Sequence, residues 1–107
     1  CPNTKMVLGG YSQGAAVIEG VTTAAPPQVA RRVAATALFG APRTGFSAML
    51  AGGALPVLAP QYAANSIDQC APGDPICWEG GADIGAHGSY VQSGKVTEAA
   101  DFAASRL

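Results

Sequence analysis

Gly10-Tyr11-Ser12-Gln13-Gly14 spells G-x-S-x-G, a pattern in which a serine hydroxyl can be held exposed on a sharp strand-to-helix turn. The flanking glycines permit strand and helix to approach closely, and a hydroxyl so placed is a candidate nucleophile. The same serine also reads as a helix N-cap, its oxygen accepting from first-turn N–H groups. A serine nucleophile needs a base, and the base needs an orienting acid. Both lie downstream, as Asp74 and the single histidine, His87. A lone histidine beside Gly88 and Ser89 is otherwise an ordinary loop residue, and Asp74 an ordinary turn residue. The order serine, acid, histidine selects the reading in which all three work together in hydrolysis. Asp68 and Asp83 are the other acids available. Asp74 is preferred because it lies between Cys70 and Cys77, where a disulfide ring would fix a short loop in space.

The flanking elements suit that use. Lys5 to Leu8 is a short apolar run ending at Gly9-Gly10, and Ala15, Ala16, Val17, Ile18 and Val21 follow at helical spacing. Pro26-Pro27 stops that helix. A second buried strand is expected within 29–39, where the apolar run after Arg31-Arg32 reaches Phe39 before Gly40-Ala41-Pro42. Strand, crossover helix and strand make a βαβ unit and hence a parallel sheet. The class expected is α/β. From Arg43 to Pro60 the pattern dissolves into a loop with room for one short helix. Ala64 to Asp68 reads as a weak third strand leading to Cys70, and Ala71 to Pro75 as a turn. A final helix is expected within 93–107, carrying Val96, Ala99, Ala100, Phe102 and Ala103.

Composition narrows the partners. The chain has 107 residues, 49% hydrophobic and 12% charged, with net charge -1, which fits one domain and leaves no basic stripe for nucleic acid. No uninterrupted apolar run reaches the length of a transmembrane helix. Three cysteines and one histidine do not supply paired zinc ligands, so no metal is expected. Cys70 and Cys77 are close enough to bond, whereas Cys1 has no nearby mate. Such a bond persists in an oxidising compartment, so secretion is expected. The chain opens at Cys1-Pro2-Asn3 without a starting Met or a signal segment, as expected of one whose natural N-terminus lies upstream, where the partner of Cys1 would be found.

Two motifs carry a family resemblance. Pro2 to Gly14 (PNTKMVLGGYSQG) resembles the serine segment of cutinases, and Cys70 to Cys77 (CAPGDPIC), followed by Ile84 and His87, resembles their Asp/His segment. The Ala-rich composition is similar to that of secreted mycobacterial cutinase-like proteins. The resemblance implies an α/β-hydrolase-like three-layer sandwich around a parallel sheet, with residues 1–107 its C-terminal half. It implies Ser12 as nucleophile, His87 as general base, Asp74 as orienting acid and the Gln13 backbone N–H as one oxyanion donor. The second donor would be upstream, as would the cysteine that pairs with Cys1. No cofactor is implied.

The sequence departs from the family in the loop that carries His87. Trp78-Glu79 precede Gly80-Gly81, and Gly81, Ala82 and Asp83 stand where cutinases often carry bulky apolar residues. Trp78 and Ile84 are therefore the apolar candidates for contact with substrate. The activity expected is hydrolysis of short- to medium-chain acyl esters, with lipid or polyester substrates in range. An acetylxylan esterase, a phospholipase-like lipase, or a noncatalytic secreted antigen or binding module are the alternatives.

Overall fold

The computed structural model describes residues 3–107. Its centre is a parallel sheet of three strands among the described residues, β1 (Met6–Tyr11), β2 (Val33–Phe39) and β3 (Ser66–Gln69), with β2 in the middle. Tyr11 pairs with Phe39, and Phe39 with Gln69, so all three strands end at one level. The carboxyl ends of parallel strands are where α/β folds place their sites.

Between β1 and β2 the chain forms helices α1 (Gln13–Ala24) and α2 (Pro27–Ala30). Pro26 and Pro27 end one helix and begin the next, because proline lacks an N–H yet fits the first turn. The short helix takes Val29 and Ala30 out of the region expected to be strand. Helix α3 (Gly45–Ala51) fills the one helix-sized space expected between Arg43 and Pro60. Thr44 and Ser47 cap it reciprocally, and Gly52 closes it at φ 81°. A 3₁₀ turn, Pro60–Asn65, delays β3 to Ser66, two residues later than its apolar pattern suggests. A second 3₁₀ turn, Ile84–Gly88, carries His87, and α4 (Lys95–Ser105) ends the chain.

Successive residues of β2 point to opposite faces of the sheet. Leu38, fully buried, packs with Ala15 of α1 and Ala41, while Phe39 packs with the cluster of Ala71, Ala86 and Tyr90. The two faces thus meet different parts of the chain, α1 on one and the His87 segment on the other. The α/β class expected from the βαβ pattern is the fold observed. No helix among the described residues is long and apolar enough to cross a membrane.

Candidate active site

Ser12 lies between β1 and α1 with φ 57° and ψ -121°, and it is the only non-glycine residue with positive φ among those described. Such a conformation costs an L-residue on the order of 1–3 kcal/mol and persists only where its surroundings enforce it. They do so by crowding. A Cβ on Gly10 would lie 2.6 Å from the Gly14 carbonyl oxygen and 2.7 Å from Ala15 Cα, so the strand can turn into the helix only without a side chain there. The N-cap reading of Ser12 is not realised, since its hydroxyl makes no capping bond. Ser12 Oγ lies instead 2.8 Å from His87 Nε2.

The other ring nitrogen, Nδ1, is 2.8 Å from Asp74 Oδ2. An ionised carboxylate only accepts, so Nδ1 carries the proton and Nε2 is free to accept the Ser12 hydroxyl. Three residues distant in sequence are therefore joined by hydrogen bonds, Ser12 to His87 and His87 to Asp74. Gly40, at the end of β2 with φ 58°, lies directly against it: a Cβ there would meet the His87 ring at 3.0 Å and Asp74 Oδ2 at 3.1 Å.

Asp74 is fully buried and densely bonded. Oδ1 accepts the Ile76 N–H at 2.9 Å, and Oδ2 accepts the Tyr90 hydroxyl at 2.6 Å in addition to His87. Burial alone would raise its pKa. The hydrogen bonds from Tyr90, His87 and Ile76 outweigh that and hold the carboxyl below its ordinary range. The turn around it is closed by the Cys70–Cys77 disulfide, with Cα atoms 5.9 Å apart, as their spacing suggests. The Tyr90 phenol is pushed far above its ordinary value by burial and by Asp74, so it remains a donor. Tyr11, the variable residue before Ser12, stacks on the His87 ring at 5.0 Å between centroids and donates its hydroxyl to the His87 carbonyl at 2.6 Å.

The alternative acids have other work. Asp68 pairs with Arg43, which also binds Glu19 at 3.0 Å. Asp83 caps the turn that carries His87, accepting the Gly85 N–H at 3.0 Å. Sequence reasoning missed Tyr90 and Tyr11. The signal available for Tyr90 was its spacing of three from His87, which one tight turn returns to the same side.

Gln13 is the first residue of α1, so no earlier carbonyl of that helix is available to its N–H. It and Ser12 line an open groove of about 540 Å³ whose other walls include Val17, Pro42, Leu50, Leu55 and Ile76. Trp78 and Ile84 do not line this groove. Ile84 faces a second depression with Phe46 and Pro75, and Trp78 is half exposed outside both. The apolar surface at Ser12 thus comes from α1, from α3 and the segment after it, and from Ile76 of the second motif. The pairing expected for Cys1 lies outside the described residues.

Carboxylesterase Culp1 of Mycobacterium tuberculosis is 61% identical over 108 residues, which cover 100% of this chain and 49% of that protein. The probable carboxylesterase Culp5 of the same organism is 49% identical over 121 residues, covering 100% of this chain and 68% of its own length. Its phospholipase Culp4 is 44% identical over 117 residues, covering 100% of this chain and 49% of that protein. The chain therefore spans about half the length of Culp1 and Culp4. The cutinase family model matches residues 1–107, and the chain belongs to the cutinase family.

Proposed function

We propose that the protein bearing this segment is a secreted serine ester hydrolase acting on short- to medium-chain acyl esters through an acyl-enzyme on Ser12. The relay from Ser12 Oγ through both nitrogens of His87 to Asp74, 2.8 Å at each step, carries the reading. His87 Nε2 takes the hydroxyl proton as Ser12 Oγ bonds to the ester carbonyl carbon. The carbonyl oxygen becomes an oxyanion that the Gln13 N–H faces from the helix terminus. On collapse the alcohol oxygen leaves with the proton from His87. Water then loses a proton to His87 and attacks the acyl carbon, and on collapse His87 returns that proton to the departing Ser12 Oγ, which releases the acid. Asp74 remains ionised throughout and stabilises the imidazolium.

The open groove supports an acyl chain lying on Val17, Leu50 and Leu55, and its shallowness favours short chains. Secretion rests on the disulfide at Asp74, which needs an oxidising compartment. A phospholipase is the second reading, favoured by exposed Met49, Leu50 and Val57, which would face an aggregated lipid, and by the relative named phospholipase. Assay of the intact natural protein on p-nitrophenyl esters of increasing chain length, beside phosphatidylcholine vesicles, tests both. Turnover lost in Ser12→Ala and greatest on short and medium chains is expected. Equal turnover by Ser12→Ala would end the proposal, and a preference for vesicles would select the second reading.

A further inference from the structure

Tyr90 touches the relay without belonging to it. It is 3% exposed, and its ring lies edge-on to Tyr11 at 6.0 Å and to Phe39 at 6.1 Å. Three groups surround its hydroxyl, the Ala71 N–H, Asp74 Oδ2 and the disulfide-bonded Cys77 Sγ, which lies farther off at 3.4 Å and has no proton to give. The Ala71 N–H can only donate, and reaches the phenol oxygen at 3.0 Å; Asp74 Oδ2 can only accept, and lies 2.6 Å away. The O–H is therefore aimed at the oxygen that also receives His87 Nδ1–H. We propose that Tyr90 is a positioning residue of the triad, whose phenol fixes the Asp74 carboxylate and moderates its hold on His87. The consequence for rate rests on the ester-hydrolase reading above; the consequence for the imidazole does not.

Two donors on one carboxylate oxygen divide its charge, so each bond weakens the other. With the phenol O–H removed, Oδ2 serves His87 alone and stabilises the imidazolium more strongly. His87 then titrates at higher pH. A more acidic phenol does the reverse. The other groups against His87 are Ser12 from the β1–α1 turn and the Tyr11 ring of β1, while Asp83, at the start of the turn that carries His87, accepts from Gly85. Asp74 faces the ring from the turn after β3, and the end of β2 presents only the backbone of Gly40.

The test follows the His87 imidazole by NMR through a pH titration of the intact natural protein, beside the pH profile of kcat/KM on p-nitrophenyl butyrate. Tyr90→Phe is expected to raise the His87 midpoint by about half a pH unit or more. The acid limb of kcat/KM should move with it, and kcat should fall about tenfold with KM within about twofold. Should Tyr90→Phe fail to fold, a fluorinated tyrosine at position 90 retains ring and hydroxyl, strengthens the donor and is expected to lower the midpoint. An unchanged midpoint in Tyr90→Phe, or an upward shift with the fluorinated residue, overturns the proposal. The expected NMR shifts in a protein that hydrolyses no ester would uphold the role of Tyr90 and sink the hydrolase reading.

Discussion

Glu19 and Asp74 are both fully buried, yet their surroundings push them in opposite directions. Burial dominates at Glu19 and raises its pKa; among the described residues Arg43 bonds its Oε2, and Oε1 has no hydrogen bond. Burial acts in the same direction on Asp74, but Tyr90, His87 and a backbone N–H reverse it. The donors that surround each carboxylate thus decide whether burial is offset. Glu19, Arg43 and Asp68 join α1, the segment after β2, and β3, so this cluster holds elements together. Asp74 accepts from the His87 ring, and under the proposed function its fixed charge would stabilise the imidazolium.

The largest difference between the two should appear in turnover. Asp74→Asn in the intact natural protein is expected to lower kcat by about 10³- to 10⁴-fold, because the amide cannot fix the required tautomer of His87. Glu19→Gln should leave kcat within about threefold, as a residue away from the reacting atoms does. Similar losses from both substitutions would erase the distinction.

A smaller effect is expected from the disulfide, which closes the Asp74 turn and touches nothing at Glu19. Replacing Cys70 and Cys77 by serine should cost roughly 2–3 kcal/mol of stability in denaturant unfolding. It should also reduce kcat, since the turn that aims Asp74 is released. Unchanged turnover in the folded variant would mean that the hydrogen bonds alone hold the turn.

The smallest effect lies in the pH dependence of stability. Asp74 has a folded-state pKa below its unfolded value, so its contribution is present above the unfolded value and lost as pH falls through the folded one. Glu19 is raised, so its contribution is present at low pH and lost as pH rises through its folded value. On acidification the wild type should lose stability relative to Asp74→Asn and gain it relative to Glu19→Gln, read by urea unfolding at a series of pH values. Slopes of the same sign would contradict the comparison.

What the sequence discloses follows the reach of each interaction. The turn at Ser12 is local: an apolar strand, two glycines and a helical run within 5–21 are enough to place it. The Cys70–Cys77 ring is equally local, and it marks Asp74. Tyr90 was not legible because its partners, Asp74 and the Ala71 N–H, are brought to it only by the fold of 70–90. Trp78 and Ile84 are the apolar residues that the His87 loop offers in sequence, whereas the groove is walled by Val17, Leu50 and Leu55, which meet only through packing. Likewise Asp68, read from sequence as a spare acid, is committed to Arg43 across the sheet.

The central claim is that the Asp74–His87 pair makes Ser12 a nucleophile. Treating the intact natural protein with a fluorophosphonate and mapping the adduct by tandem mass spectrometry tests it most directly. One adduct is expected, on the peptide containing Ser12, slowed by about 10³-fold or more in Asp74→Asn and in His87→Ala. A folded protein that takes no label at Ser12, or takes it at the same rate without His87, would contradict it.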